Sequence, residues 1–243
     1  MAKPYGLLVA GMDYSGAAED EFDDWYDTEH LPQRQRIKGF LSAERWVNAE
    51  DLSSMPGLGG SGGDTKISLA IYDLESLDVL QSPAYRAIVG DNLSPWSKRV
   101  LGKCRRVCRF EAEQTLPGRR AAPADAGGLM LFAMNVEPQV EADFNAWLDE
   151  EHIPNLAAVP GVLSARRFKM AGGTHRYLVL YHLTSPEVQA TKEWKQGGAS
   201  PWTDRMKPHF LAPERNPLRL VMRRYVRGRM QETSESMVHT TKS

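Results

Sequence analysis

The sequence has little of several features that mark specialised classes of protein. It contains only two cysteines, Cys104 and Cys108, among 243 residues. The segment around them has the pattern of a strand, in which four residues span roughly 13 Å, too far for a disulfide. We therefore expect the two thiols to be small apolar side chains on one strand face.

Long hydrophobic runs and an excess of positive charge are also missing. The N-terminal segment MAKPYGLLVAG has only a very short apolar stretch, unlike a signal peptide, and no run approaches the length of a membrane-spanning helix. The formal net charge is −1, and basic residues form only short runs, which argues against a nucleic-acid partner. We expect a cytoplasmic protein with neither a membrane nor a nucleic-acid partner.

What the sequence does contain is an internal duplication. The segment EDEFDDWYDTEHLPQRQRIKGFLSAERW (19–46) matches EADFNAWLDEEHIPNLAAVPGVLSARRF (141–168) with twelve identities in 28 ungapped positions. Further downstream TKISLAIYDLES, from Thr65, matches THRYLVLYHLTS, from Thr174, and Ser-Pro-Trp at 94–96 recurs at 200–202. A repeat of this kind indicates that the chain contains two equivalent structural units, and it is considered before any local pattern.

Each half has the same order of predicted elements. An apolar strand, an acidic helix, two strands, a second helix (77–89 and 186–195) and a last strand make β-α-β-β-α-β, the ferredoxin-like unit. One unit leaves a sheet face uncovered, so two units are expected to bury those faces against each other. The predicted fold class is α+β, with two tandem ferredoxin-like repeats closing into one barrel, a pseudo-dimer within one chain.

The repeat also sets the predicted domain boundaries. Residues 1–113 form the first repeat, with a Gly-rich insertion at 51–64, and residues 129–230 form the second. A Pro-, Gly- and Ala-rich linker (114–128) joins them, and a polar tail (231–243) follows.

The acidic helix carries the candidate chemistry. In 100° steps from Phe22, Glu29 falls in the middle of the apolar stripe and His30 on its flank, and Glu151 and His152 repeat this arrangement. A carboxylate on an apolar stripe needs a partner, and the shared Arg45 and Arg167 on the following strand are the natural candidates. A buried ion pair, or capping of loop amides, is the structural alternative for the two glutamates.

The histidine is followed two residues later by proline, which predicts that the helix ends at His30. The helix dipole and Glu29 would raise the pKa of His30, whereas burial against Trp25 would lower it. A balance near neutrality would suit a proton shuttle. The alternative is a structural histidine that bonds the free carbonyls at the end of its helix.

The segments WYDTEHLP and WLDEEHIP, inside such a unit, resemble the dimeric α+β barrel superfamily, most closely its EthD-like branch. The resemblance implies a closed barrel with helices outside and a ligand cavity in each half. Relatives include cofactor-free monooxygenases, muconolactone-type isomerases, polyketide cyclases and haem-degrading enzymes. In the methylmuconolactone isomerase relatives the histidine of a similar His-x-Pro motif acts on substrate, which corresponds to His30 or His152 here.

The favoured hypothesis is a cofactor-independent isomerase or lyase acting on a small aromatic, lactone or polyketide-like metabolite. Its predicted catalytic residues are His30, His152, Glu29 and Glu151. Its predicted substrate-binding residues are Trp25, Tyr26, Arg45, Trp46, Trp147 and Arg167. No metal site is predicted, because the six histidines lack metal-binding spacing. The alternatives are a binding or stress-response module for a hydrophobic ligand or haem, a cofactor-free monooxygenase, and a structural relic. Further homo-oligomerisation stays open.

Overall fold

The computed structural model describes residues 2–49, 65–211 and 218–226. The predicted Gly-rich insertion (51–64) and the predicted tail (231–243) lie outside the described residues. Within them, eight strands alternate with short helical segments. The strands are β1 (Gly6–Asp13), β2 (Glu44–Asn48), β3 (Ile67–Leu74), β4 (Arg105–Leu116), β5 (Gly128–Met134), β6 (Val162–Met170), β7 (Tyr177–Leu183) and β8 (Leu218–Arg224).

The eight strands form one closed antiparallel barrel. Their order is β1-β3-β2-β8-β5-β7-β6-β4, and β4 pairs with β1 to close the ring. The first four strands pair with the last four along two seams, β2 with β8 and β4 with β6. The predicted α+β class and the predicted barrel closure are both confirmed. β4 runs to Leu116, and β5 begins at Gly128, so both strands enter the segment predicted as a linker.

Alternating apolar residues fill the barrel. One core cluster draws on strands from all sides of the ring, and its members include Leu7, Leu69, Leu131, Leu180 and Leu220. Burial of such side chains is the main favourable term in folding. Charged and titratable side chains are buried inside the barrel as well, among them Glu44, Asp73, Arg166 and His182.

The acidic helix of each half continues past its histidine, which corrects the predicted end at His30. In the first half α1 (Glu19–Trp25) leads into a π-helical turn (Tyr26–His30) and then into α2 (Leu31–Gln35). The Leu31 amide donates to the Tyr26 carbonyl five residues back, which opens a wider turn. Pro32 then lies in the first turn of a new α-helical segment, a position that tolerates proline.

The second half repeats this interruption. There α5 (Glu141–Trp147), a π-helical turn (Leu148–His152) and α6 (Ile153–Ala157) follow one another. Because a π-helical turn has more residues than an α-helical turn, the 100° steps used to place Glu29 and Glu151 do not hold beyond Trp25 and Trp147.

The second helical region of each half is broken into short pieces rather than the single helices predicted at 77–89 and 186–195. The pieces are α3 (Pro83–Arg86) and α4 (Pro95–Leu101) in the first half, and α7 (Lys192–Gly197) and α8 (Pro201–Met206) in the second. A Ser or Thr side chain caps the start of each of them, and proline follows the cap in three, which restarts the helix each time. Among the described residues, no helix has the length and apolar character needed to cross a bilayer.

Candidate functional site

A cavity of about 450 Å³ lies in the first half, between the outer face of the barrel and the helical segments. His30 and Tyr72 line it, together with guanidinium groups and aliphatic side chains. The polar lining residues are His30, Arg34, Tyr72, Tyr85, Cys104, Arg106, Cys108 and Arg109. Both cysteines are free thiols, and Cys104 lies just before β4 rather than on the strand.

A second cavity, of about 380 Å³, occupies the corresponding place in the second half. His152 and Tyr181 line it at the positions that match His30 and Tyr72 in the repeat. The rest of its wall is more apolar, and includes Met130, Phe132, Met134, Leu148, Leu156, Val179, Trp194 and Phe210. Both volumes fall in the range of small-molecule sites.

His30 is held in the wall of its cavity by aromatic rings. The side chain is 4% exposed, and its ring centroid lies 4.3 Å from that of Trp25 and 4.9 Å from that of Tyr26. The buried Nδ1 atom has no hydrogen-bond partner among the described residues. His152 packs in the same way on Trp147, at 4.4 Å, and its Nδ1 atom likewise has no described partner.

Both histidines are neutral at physiological pH, which corrects the expected balance near neutrality. Burial, reinforced by the charges of Arg34 and Arg45, lowers the pKa of His30 well below 6.5. Burial and the charge of Lys207 lower the pKa of His152 to about 4. The adjacent glutamate was expected to raise the pKa of each histidine. The carboxylates of Glu29 and Glu151 are instead directed to other partners.

Those partners are hydroxyl groups rather than the predicted arginines. The Ser94 and Ser97 hydroxyls donate to Oε1 of Glu29, the latter over 2.9 Å. In the second half the Ser200 hydroxyl donates to Oε1 of Glu151. Ser94 and Ser200 begin the recurring Ser-Pro-Trp segments and cap α4 and α8, so each glutamate binds the cap of the opposite helical segment.

A chain of contacts leads from each glutamate to its histidine. In the first half, Ser97 accepts a hydrogen bond from Nε1 of Trp25 over 3.0 Å while it donates to Glu29, and Trp25 packs on His30. In the second half, Nε1 of Trp147 donates to Thr203 over 3.1 Å, and the Thr203 hydroxyl shares a hydrogen bond with Ser200. Each glutamate is therefore linked to its histidine through an indole and through one hydroxyl in the first half or two in the second.

Arg45 and Arg167 are bound to aspartates on the acidic helix. Arg45 donates to Asp23 through Nη2, its Nη1 lies 3.6 Å from Asp27, and its guanidinium stacks 3.8 Å over the ring of Tyr225. Arg167 donates to Asp149 and to Asn145. Neither arginine lines either of the two cavities. They anchor the helix to the sheet at the π-helical turn.

The remaining predicted site residues have different locations. Trp147 lines the second cavity, whereas Trp25 and Tyr26 are fully buried behind His30. Trp46 lies inside the barrel with the core cluster and lines neither cavity.

Sequence reasoning missed the cationic and phenolic side chains of the cavities. Arg109 and Arg219 occupy the same register, opposite Ala10 and Phe132 on the first strand of each half, and each lines its cavity. Register of this kind follows from strand pairing and not from the linear repeat, which fades in the last strand. The recurrence of Ser-Pro-Trp at 94–96 and 200–202 was a usable signal for a different part of the site, because its serines bind Glu29 and Glu151.

Phenols add potential donors to both sites. Burial raises the pKa of Tyr181, and burial with the neighbouring Tyr26 raises the pKa of Tyr72 well above 10. The Tyr26 and Tyr72 phenols influence each other's pKa, yet neither hydroxyl has a partner at full hydrogen-bonding geometry among the described residues. Tyr72 and Tyr181 therefore keep their protons. Within the described ranges, no group of three His, Cys, Asp or Glu side chains is arranged to hold a metal ion.

Comparison with known proteins gives a partial match in sequence and broad matches in structure. A family model described as a domain of unknown function (DUF4286) matches residues 131–211. None of the curated proteins matches the sequence.

Solved structures match over nearly the whole chain. A suspected monooxygenase of Fusobacterium nucleatum is 9% identical, with a TM-score of 0.61 over 92% of this chain and 94% of its own. An anthrone oxidase-like protein is 12% identical, with a TM-score of 0.57 over 91% and 92%. A variant of the chlorite dismutase of Candidatus Nitrospira defluvii is 10% identical, with a TM-score of 0.58 over 93% of each chain.

Identities this low show the fold and nothing about activity. The chain shares the α+β barrel fold of these structures, and one polypeptide supplies all eight strands of its barrel.

Proposed function

We propose that the protein is an isomerase or lyase that moves a proton with the His30 imidazole and requires no bound cofactor for that step. The observation that carries the proposal is the placement of His30. A neutral, buried imidazole with an Nδ1 atom that has no described partner lines a cavity of small-molecule size. We further infer that the chain is a fused pair of ferredoxin-like units of the EthD-like type, on the strength of the twelve identities and the recurring element order.

The proposed step needs only groups that the chain supplies. The neutral imidazole takes a proton from a carbon next to a carbonyl, and the C–H electron pair moves into the carbonyl to give an enolate. The imidazolium N–H exchanges with solvent, and the imidazolium then returns a proton to the enolate at another carbon. The Tyr72 hydroxyl, which keeps its proton, is a donor for the enolate oxygen. Elimination of a leaving group from the enolate would give a lyase instead.

Glu29 acts in this scheme as a positioning residue. Through Ser97 and Trp25 it holds the ring of His30 at one orientation in the cavity wall. The sequence predicted Glu29 as a catalytic residue, whereas in this scheme it acts through other residues and does not touch the substrate.

Deuterium incorporation tests the proposal on a panel of candidate substrates. Lactones, phenols and small ketones would be incubated with the protein in D₂O, and uptake of deuterium at carbon would be followed by mass spectrometry. For a compound that exchanges, His30→Gln should slow the exchange by about 10²- to 10⁴-fold. His152→Gln is the matched control in the other half, and equal exchange by wild type and His30→Gln would contradict the proposal.

A cofactor-free monooxygenase is the second candidate. It is favoured by two of the structural neighbours, a suspected monooxygenase and an anthrone oxidase-like protein. An oxygen electrode separates the two functions in the same reactions. Consumption of dioxygen in proportion to product would favour the monooxygenase, and isomerisation without consumption would favour proton transfer alone.

The second cavity supports a ligand-holding role. Its wall of methionine and aromatic side chains suits an apolar molecule, and His152 offers an imidazole that could bind a haem iron. Titration with hemin, read by absorbance, tests this role. A shifted haem band that His152→Gln abolishes and His30→Gln retains would support haem binding in the second half.

A further inference from the structure

The charged lining of the first cavity is entirely cationic. Arg34, Arg106 and Arg109 contribute guanidinium groups, and no carboxylate of the described residues belongs to the lining. Arg109 already has an anionic partner, because its Nη2 donates to Glu111 over 2.6 Å, and it also donates to the Tyr85 hydroxyl. Arg34 and Arg106 are the two cations left to consider.

Arg34 is buried without a counterion among the described residues. It is 5% exposed, and the only hydrogen bond that its side chain makes there is from Nη1 to the His30 carbonyl, over 3.0 Å. A buried guanidinium without a carboxylate is costly, since a single carbonyl dipole replaces little of its hydration. An anion in the cavity would remove that cost.

Arg106 supplies a second cation at the cavity wall. It is exposed, lies on β4 opposite Met12, and has no ionic partner in the part of the chain that the structure describes. Guanidinium groups bind carboxylates through paired, charge-assisted hydrogen bonds. Aliphatic side chains, Leu8, Leu93 and Leu101, also line the cavity.

From this arrangement we propose that the first cavity binds an organic monocarboxylate with a compact apolar body, whose carboxylate is held by Arg34 and Arg106. The inference rests on the proposed function and names the class of substrate for the His30 site. A cyclic acid of modest size matches both the volume and the combination of cationic and aliphatic lining residues.

The second cavity lacks the same pair. Leu156 stands at the position of Arg34, so this cavity has no buried guanidinium without a counterion. The cations that line it are Lys195, which is exposed, Lys207, which is paired with Asp204 over 3.0 Å, and Arg219, which donates to Gln189. Preference for a carboxylate should therefore belong to the first cavity.

Matched acids and amides test the proposal by calorimetry on the full chain. The probes are benzoate and cyclohexanecarboxylate, each compared with its neutral carboxamide. We expect each carboxylate to bind wild type about tenfold or more tightly than its amide, because a charge-assisted pair is worth at least that factor. Arg34→Gln and Arg106→Gln should each lower the acid-to-amide ratio toward one.

Arg36→Gln is the control, because Arg36 is exposed on the same helical segment and does not line the cavity. It should leave the ratio unchanged. Equal binding of acid and amide to wild type, no measurable binding of either acid, or the same loss in Arg36→Gln would overturn the proposal. Arg106→Gln alters an exposed side chain, so it decides the matter even if Arg34→Gln does not fold.

The outcome is separable from that of the proposed function. Selectivity for the acid is measured without turnover, so it can hold while His30→Gln leaves deuterium exchange unchanged, in which case only the proton-transfer role fails. Exchange that depends on His30 together with equal binding of acid and amide would leave proton transfer intact and remove the carboxylate.

Discussion

The two cavities keep the same histidine but differ in the walls around it. Arg34 and Ala10 in the first half correspond to Leu156 and Phe132 in the second, so the first cavity has a buried guanidinium where the second has an aliphatic side chain, and the second has an aromatic ring where the first has a methyl group. A chain of contacts from glutamate to histidine is present in both, through one hydroxyl and an indole in the first half and through two hydroxyls and an indole in the second. The contacts around the imidazole are therefore common to both halves, whereas the charge and shape of the cavity lining differ between them.

The two halves also differ inside the barrel, and there the difference is complementary. Asp73 in the first half accepts a hydrogen bond from Nη1 of Arg166 in the second, over 2.7 Å, and Nε2 of His182 lies 3.3 Å from Glu44. In the repeat, Glu44 corresponds to Arg166 and Asp73 to His182. A barrel made of two first halves would place Glu44 beside Asp73, two carboxylates without a cation. The buried charges of the two halves are therefore complementary to each other.

Removing one partner of the buried pair is the strongest way to break this fit. Asp73→Asn leaves the Arg166 guanidinium uncompensated, and the side chains of Arg166 and Asp73 are only 0% and 2% exposed. The loss should be about 3 to 5 kcal/mol of unfolding free energy, measured by urea denaturation. The double variant Asp73→Asn/Arg166→Met should lose less than the sum of the two single variants.

An exposed pair provides the control for that measurement. Lys207 and Asp204 lie 3.0 Å apart with side chains 60% and 73% exposed, and Asp204→Asn should cost no more than about 1 kcal/mol. Equal losses in Asp73→Asn and Asp204→Asn would show that the interior charges do not join the halves.

Acid pH should expose the cost of burying the second histidine. The pKa of His152 is lowered from 6.5 to about 4, so between those values the unfolded chain binds a proton that the folded protein does not. Stability therefore falls as the pH falls from about 6.5 to about 4, by about 3 kcal/mol in total. His152→Gln should flatten the dependence of the urea-unfolding free energy on pH across that window.

Measuring the pH dependence of the unfolding free energy for a variant of His30 as well compares the two halves. Because the pKa of His30 is lowered well below 6.5, with Arg34 and Arg45 adding to burial, its contribution also falls with decreasing pH. His30→Gln should flatten a further part of the curve. Curves for wild type and His152→Gln that run parallel from neutral to acid pH would refute the assigned pKa.

The barrel was predictable because it follows from the order and apolar pattern of the strands, which the sequence contains. Apolar strands in the order found twice must cover their open sheet faces, and closing the sheet on itself does so. The histidines could be located on a helix for the same reason, since the apolar stripe of Phe22 and Trp25 turns that side of the helix toward the sheet.

The details of the site depended on geometry that periodicity does not contain. The π-helical turn at Tyr26–His30 changes the angular step per residue, so Glu29 faces Ser94 and Ser97 while Asp27 approaches Arg45. The cations that lower the pKa of His30 come from the next helical segment and from β2. Distances between elements of this kind are fixed by packing, not by spacing in sequence.

The capping serines give a smaller contrast between the halves. Ser200 accepts a hydrogen bond from the Thr203 amide over 2.9 Å and is the one described partner of the Glu151 carboxylate. Ser94 accepts from the Ser97 amide over 2.9 Å, but Glu29 also has Ser97. Ser94→Ala should cost about 1 kcal/mol for the lost cap, and Ser200→Ala about 2 kcal/mol, by urea denaturation.

Removing the Ser97 hydroxyl as well tests why Ser94→Ala should cost less stability than Ser200→Ala. In Ser94→Ala/Ser97→Ala the Glu29 carboxylate loses both hydroxyl donors, and Trp25 loses its acceptor as well. The double variant should then lose more than Ser200→Ala, because an indole N–H is stranded together with the carboxylate. If Ser94→Ala alone already matched Ser200→Ala, the second hydroxyl would not be supporting Glu29, and the positioning of His30 through Ser97 would lose its basis.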